Sequence, residues 1–580
     1  MNEEDVKAGY VHQYAIEVVD FSSQYGYDGS MSYVASNLSG PPNVYPGYGD
    51  FTQACVFRTY GPWWKCCPSA RKPINRSPIT FRSQDYIELL FEERVYPSRI
   101  DIFETYNPGS IVKILACNTS PKDFAELDPP EEVEWVTLWS GQPEGLPARP
   151  REFSPPLKPC PFATNLIRLE VNQKLLEYYT ELDAVKLYGV LECKELQNSP
   201  ALPSRHVYPD PGISATQKML RDLMLVDKKS SPGNNGYFDM LPSEVIQLIL
   251  SYLDMPSLCN AALSCSFLMH HCYDPLQYTG LDLQPYWSQV DDYVLKCLQI
   301  RCSHLQQLSL SWCGRYDMIK GPTFIKFLEH CGSELTCLRL SCSRFLYADC
   351  LRAIGLNCPL LQELDLSSCT YLHDTAFQQV ANFTSLRRLN LYRTSVTGST
   401  VRSIIRSNPG LEYLNLGGCK SCDGMDDVAI DLAQHCPQLK AVDFWRCRSL
   451  TNIGLRALAS GCSLLLELDL GWCPELRSNT GCFVYLAQSC HLLRKLFVTA
   501  NRTVSDNDLF ALAKHCRDLE QLDILGTRMV SPDGALAVLN SCKKLSFFDV
   551  SFCPLLDFAM IYKWKMAFPD VALRKSFQNT

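Results

Sequence analysis

Leu361-Gln362-Glu363-Leu364-Asp365-Leu366-Ser367-Ser368-Cys369 decides the fold, because its spacing returns along the chain: Leu-x-x-Leu-x-Leu, then a small side chain three residues on. Other instances begin at Leu305, Leu335, Leu386, Leu411, Leu439, Leu465, Leu493, Leu519 and Leu545. Counted from the first apolar residue of each, the steps are 30, 26, 25, 25, 28, 26, 28, 26 and 26 residues, so every unit is the same supersecondary piece. The short apolar alternation predicts one strand per unit. The tails that follow, such as Asp374 to Ala381 and Asn452 to Ala459, have helical spacing. A single strand and helix cannot bury an apolar face alone, so the units are expected to stack into a curved solenoid, strands on the concave side and helices outside.

Cysteine usage fits that array. Of 29 Cys, about seventeen fall in repeat columns, thirteen of them in two: one with Cys313, Cys369, Cys419, Cys447, Cys473 and Cys553, the other with Cys302, Cys358, Cys436, Cys462, Cys490, Cys516 and Cys542. They read as small buried apolar residues. The Cys419-x-x-Cys422 pair has no second pair at zinc-ligand spacing, so neither a metal nor a disulfide framework is expected. The opening Met-Asn-Glu-Glu-Asp is neither a signal peptide nor an Arg-rich presequence, so an intracellular, reducing compartment is expected.

At 580 residues the chain is too long for one core, and 46% hydrophobic with 20% charged is ordinary for a soluble protein. No apolar run reaches bilayer length. A net charge of −8 argues against a nucleic-acid surface.

Residues 11–190 differ from the array, with aromatic-rich short runs between Pro and Gly clusters: Ala54 to Thr59, Tyr86 to Phe91, Ile111 to Cys117, Glu134 to Trp139, Leu166 to Val171 and Ala184 to Tyr188. That texture predicts an all-β sandwich. The runs beginning at Gln84, Thr164 and Leu182 resemble the discoidin or galactose-binding-like jelly roll. In that family, loops at one end bind sugars, lipid head groups or peptides; the corresponding exposed candidates are Tyr45, Tyr48, Tyr60, Trp63 and Trp64. Residues 191–236 read as a linker, ending in Ser-Ser-Pro-Gly-Asn-Asn-Gly.

Over 237–277, Leu241-Pro242-Ser243-Glu244 opens a helix whose apolar positions are Val245, Ile246, Ile249, Leu250 and Leu253. A second helix starts at Pro256-Ser257 and carries Leu258, Ala261, Ala262, Cys265 and Leu268; Asp274-Pro275-Leu276 closes the unit. The Leu-Pro-x-Glu opening, the Ile249-Leu250 pair, the Leu253-x-x-Pro256-x-Leu258 turn and the Asp-Pro-Leu end resemble an F-box. A helical motif of this kind directly ahead of Cys-containing leucine-rich repeats (278–575) resembles the substrate receptors of Skp-cullin-F-box ubiquitin ligases, most of all the mitochondrial member with an N-terminal discoidin-like domain. The resemblance implies three parts: a β jelly roll, a helical F-box and an α/β leucine-rich-repeat solenoid. It implies a non-catalytic subunit that docks a Skp adaptor, and through it a cullin, while the repeats present a protein substrate for ubiquitination and proteasomal degradation. Leu241, Pro242, Ile249, Leu250, Leu253, Leu258 and Leu268 would carry adaptor binding. Mitochondrial association follows from resemblance alone, because the basic, apolar N-terminal segment of that member is missing here.

No catalytic motif is visible, and no cofactor is implied. In each repeat strand the residue between the last two apolar positions points to the concave side. Asp365, Asp443 and Asp469 stand there, with Tyr392, Arg393, Trp445, Arg446 and Trp472 beside the column, and these are the candidate substrate contacts. A second reading has the repeats as a scaffold and the discoidin-like loops as a glycan, lipid or peptide site.

Overall fold

In a computed structural model of the chain, the structure describes residues 9–27, 29–58, 67–74, 76–78, 81, 83–119, 133–176, 178–192, 235–576 and 578–579. Two compact units divide them. One holds the described residues of 1–70, 82–207 and 466–580, the other those of 71–81 and 208–465.

In the first unit, the N-terminal strands are β1 (Tyr10–Tyr14), β2 (Glu17–Phe21), β3 (Tyr48–Gly49), β4 (Asp85–Tyr106), β5 (Ile111–Cys117), β6 (Trp135–Ser140), β7 (Arg151–Phe153), β8 (Thr164–Val171) and β9 (Glu181–Leu191). All pairings are antiparallel, in the order β1-β9-β4-β8-β5-β6, with β2 and β7 also on β4. The first part of β4 pairs with β8 and the second with β9, and the register shifts between Leu90 and Val95 let one long strand serve two neighbours. Ile87, Leu89, Phe91, Ile114, Ile167, Leu169, Val185 and Leu187 form the core. Five of the expected runs fall in β4, β5, β6, β8 and β9. Ala54 to Thr59 does not form the expected strand; residues 54–58 make only an isolated bridge, Cys55 to Leu182. Ala54, Cys55, Val56 and Phe57 are all buried, so the run has no solvent face and feeds single backbone bonds to several neighbours, including Tyr25 N–H to the Val56 carbonyl at 2.8 Å.

Two buried ionic features stand out in this sheet. Arg168 on β8 donates to Glu88 at 3.0 Å and to Glu170 at 3.2 Å, and its guanidinium lies 3.5 Å from the Tyr86 ring centroid. Glu104, fully buried, is pushed up to about 7 by burial, although the Gly109 N–H at 2.8 Å and the Arg151 guanidinium at 3.7 Å oppose the shift. The folded state therefore binds its proton more tightly than the unfolded state does. Stability contributed by this group is present below its unfolded value near 4.5 and is lost as pH rises to about 7, by roughly 3 kcal/mol. Glu104→Gln is expected to flatten that part of the stability profile and to raise stability at pH 8, as read by denaturant titrations between pH 4 and 8.

The same unit holds parallel strands Glu467–Asp469, Lys495–Phe497, Gln521–Asp523, Phe547–Asp549 and Ala572–Arg574, with Leu468, Leu496, Leu522, Phe548 and Leu573 in register. Gln578–Asn579 turns back to pair antiparallel with β3. Helices Cys482–Ser489, Asp506–His515, Pro532–Ser541 and Phe558–Ala567 alternate with these strands.

In the second unit, parallel strands run from Gly280–Asp282 to Ala441–Asp443, with Leu281, Leu308, Leu338, Leu364, Leu389, Leu414 and Val442 paired one to the next. Each of these middle residues is essentially inaccessible, which is why the leucine spacing fixes register. First-turn aspartates link successive repeats: Asp374 accepts from Thr397 N–H at 2.7 Å and Asp426 from Thr451 N–H at 2.8 Å. The helices ahead of the array are α1 (Ser243–Ser251), α2 (Met255–Ser264) and α3 (Ser266–Cys272). One helix was expected where α2 and α3 lie. It breaks at Cys265, whose backbone is extended and whose Sγ accepts from Leu268 N–H at 3.4 Å, so Leu268 belongs to a third, short helix.

Candidate functional site

Helix α1 is apolar on two sides. Ile246 and Leu250 turn inward and are buried, while Val245, Leu248, Ile249 and Tyr252 form an outer stripe at helical spacing that stays exposed. Leu248 is 57% exposed, Ile249 46% and Tyr252 83%. The turn before α1 adds Tyr237, Met240 and Leu241 to this surface. The stripe is fixed from behind: the Asp254 carboxylate caps α2 through Ser257 N–H at 2.9 Å, Gln277 donates to the Gln247 carbonyl at 3.0 Å, and Asp274 caps the following turn through Leu276 N–H at 2.9 Å. Leu241, Pro242 and Ile249 are on the outside. Leu253 and Leu268 are half-buried, and Leu250 and Leu258 lie inside, where they build the helical unit. Leu248 and Tyr252 were missed by sequence reasoning; a helix apolar on both sides was the signal.

The strand ends show what the acidic column does. The Oδ1 atoms of Asp365, Asn390, Asn415, Asp443, Asp469, Asp523 and Asp549 each accept from the backbone N–H two residues on, at 2.8 to 3.1 Å. This is the Asx-turn that Asp and Asn side chains make with their own backbone. One residue further, the chain turns left-handed: Arg393 at φ 55°, Arg446 at 61° and Trp472 at 59°, with Gly418 and Gly526 in the same column. The left-handed N–H then bonds to a carbonyl of the next repeat, as from Arg393 to Gly417 at 2.9 Å. Three expected contact residues are thus turn residues as well. Tyr392 and Trp445 are buried, and the Arg446 guanidinium lies over the Trp445 ring at 4.6 Å.

The second carboxylate oxygen of several column members is taken by the chain itself. In the second unit Arg71 pairs with Asp365 Oδ2. In the first unit Arg58 holds Asp469 Oδ2 at 3.1 Å, and Tyr178 donates to Asp549 Oδ2. Beside Asp469, buried Glu467 takes Lys495 Nζ at 2.6 Å and both the N–H and hydroxyl of Ser69 at 2.9 Å. Burial alone would push Glu467 up, but Lys495 and Ser69 hold it below the usual carboxylate range. Burial pushes Asp549 up to about 6, although the hydrogen bonds from Tyr178 and Ser551 oppose the shift. Arg58, Arg71, Ser69 and Tyr178 carry no local signature that places them on strands hundreds of residues away.

The cysteine columns are hydrogen-bond donors across repeats. Cys369 Sγ donates to the Leu340 carbonyl at 3.2 Å and Cys419 Sγ to Leu391 at 3.0 Å; Ser343 makes the same bond to Leu310 at 2.9 Å. Burial pushes Cys419, Cys436, Cys542 and Cys553 up to about 11, far from thiolate chemistry. Among the described residues no group of His, Cys, Asp or Glu is arranged to hold a metal, and no helix is long and apolar enough to cross a membrane. Of the expected loop ligands, Tyr48 is buried 5.7 Å from the Tyr106 ring and Tyr45 packs 5.0 Å from Phe103. Tyr60, Trp63 and Trp64, like most of the expected linker, lie outside the described residues.

A helical motif with a ready apolar face, followed by strand-and-helix repeats in leucine register, defines an F-box protein with leucine-rich repeats. A family profile described as F-box-like matches residues 238–284, and a second, for the leucine-rich repeats of an FBD-associated F-box protein, matches 332–456. The chain is 49% identical over 573 residues to F-box/LRR-repeat protein 4 of Bos taurus, covering 98% of this chain and 92% of the bovine protein. It belongs to the F-box/LRR-repeat family. A putative F-box/LRR-repeat protein 9 of Arabidopsis thaliana is 26% identical over 245 residues, 41% of this chain and 87% of the plant protein. A crystal structure of the yeast Rad7 and Elc1 complex matches with a TM-score of 0.39 and 14% identity, covering 58% of this chain and 88% of that one.

Proposed function

We propose that the protein is the substrate-recognition subunit of an SCF-type ubiquitin ligase, with the outer stripe of α1 seated on a Skp-type adaptor and the strand ends of the repeats contacting a protein substrate. The outer stripe carries this reading. A nine-residue helix and its cap do not keep Leu248, Ile249 and Tyr252 in water without use, since exposed contiguous apolar surface marks a partner site. A helix laid in an apolar groove is a recurrent recognition mode, and aromatic and aliphatic anchors supply its affinity. In this reading the protein performs no chemistry. Its adaptor links it to a cullin, and transfer of ubiquitin occurs on other subunits.

Full-length protein purified from cells should bring the adaptor and cullin with it in stoichiometric amounts. Recovery of the chain without either would sink the proposal.

For the substrate, Arg393 and Arg446 are half-buried members of the predicted set. Gly418 and Gly526 already occupy their column, and glycine relieves a left-handed L-residue. Arg393→Gly with Arg446→Gly should leave the thermal midpoint within about 1 kcal/mol equivalent while reducing capture of stabilised ubiquitination substrates several-fold. Undiminished capture would exclude these arginines from the substrate contact.

A further inference from the structure

In the second unit a stretch of the N-terminal third of the chain lies along the strand ends and reaches the F-box. Arg71 pairs with Asp365, the Lys72 carbonyl accepts from Arg339 Nη2 at 2.9 Å, Ser77 Oγ donates to Asp282 Oδ2 at 2.5 Å, and the Phe81 ring sits 6.1 Å from that of Trp312. Arg76, between them, reaches the F-box. Its Nη1 donates to the Leu250 carbonyl at 3.0 Å and the Leu253 carbonyl at 2.7 Å, its Nε donates to the Gln277 carbonyl at 2.9 Å, and its Nη2 to the Gln277 side chain.

Those acceptors matter. The last carbonyls of a helix lack the regular partner of its interior; Leu250 lies in the last turn of α1, where its carbonyl also accepts from Leu253 N–H at 3.1 Å, and Leu253 follows the Tyr252 cap. A guanidinium is a planar fork that can satisfy several such groups at once, which an ammonium cannot. Gln277 belongs to the turn Pro275–Tyr278 that joins the F-box to the first repeat strand. Arg76 therefore ties the exit of α1 to the start of the array. Its backbone is left-handed, at φ 66°. Glycine would take that conformation freely, so backbone geometry does not call for arginine at this position.

We propose that Arg76 is a positioning residue for adaptor docking, clamping the end of α1 to the Pro275–Tyr278 turn so that the stripe of Leu248, Ile249 and Tyr252 is held in its binding orientation before the adaptor arrives. The inference rests on the adaptor reading above. A helix end ordered in advance lowers the entropic cost of association, whereas a frayed one must be ordered on binding.

The test uses the full chain. Arg76→Gly removes the clamp while relieving the backbone; the two effects oppose each other, so the thermal midpoint should fall only modestly. Hydrogen exchange of the α1 amides, measured without any adaptor, should rise at least tenfold, and calorimetric affinity for a Skp-type adaptor should fall about tenfold with a less favourable binding entropy. Arg76→Lys should recover only part of both. Unchanged α1 exchange in Arg76→Gly would overturn the clamp, whatever the adaptor does. Increased exchange with parental adaptor affinity would overturn its role in docking. Failure of the parent protein itself to bind the adaptor would instead remove the functional reading, leaving the exchange measurement to decide the clamp alone.

Discussion

Leu248→Asp combined with Ile249→Asp is expected to weaken binding of a Skp-type adaptor at least a hundredfold while the helical unit stays folded. Burial of each side chain's exposed part contributes about 1 to 2 kcal/mol at an apolar interface, and a carboxylate in its place adds a desolvation cost. Together these exceed the roughly 3 kcal/mol that a hundredfold change represents. The fold is spared because Ile246 and Leu250, on the opposite side of α1, keep the internal contacts. Leu356→Asp, on an exposed position of a repeat helix, serves as the control and should leave affinity unchanged. Calorimetric titration with purified adaptor reads both. Equal affinities for the two variants would show that α1 is not the docking surface.

Arg168→Ala carries the largest expected cost in stability. The guanidinium is 1% exposed and stands between Glu88 and Glu170, both fully buried, so its loss leaves two like charges close together in a dry part of the sheet. Removing one partner of a buried ionic group typically costs 3 to 5 kcal/mol, more than its truncated packing alone. For an assembly of this size that is a fall of about 10 °C in the transition reporting the antiparallel domain. Adding Glu88→Gln and Glu170→Gln to the alanine variant should recover part of the loss, because neutral amides remove the uncompensated charge. A variant as stable as the parent, or one that the two glutamines fail to improve, would contradict this reading. Adaptor binding is expected to survive, since α1 belongs to the other unit.

The repeats were legible because Leu308, Leu338, Leu364 and their equivalents are inaccessible in every unit, and burial at a fixed spacing leaves a periodic trace. The F-box was legible as motif and helix start but not as surface. Nothing in sequence order separates Leu250, which is buried, from Ile249, which is exposed. In the antiparallel domain the strands with clean apolar alternation were found. Tyr10–Tyr14 and Glu17–Phe21 were not, since His12, Gln13, Glu17 and Asp20 interrupt their patterns. The strand ends show the deeper limit. Aspartate there fits both an Asx-turn and an acidic binding column, and periodicity cannot weigh the two. Left-handed Arg393, Arg446 and Trp472 have no turn signature of their own; only Gly418 and Gly526 in the same column hint at it. Contacts such as Arg58 with Asp469 and Arg76 with Leu253 join residues 411 and 177 positions apart, and no local pattern encodes them.

Hydrogen exchange of the full protein, with and without a saturating Skp-type adaptor, separates docking at α1 from docking at the repeat strand ends. New protection is expected over residues 237–269, and none at the strand ends around Asn390, Asn415 and Asp443. Protection at those strand ends with α1 unchanged would contradict docking at α1.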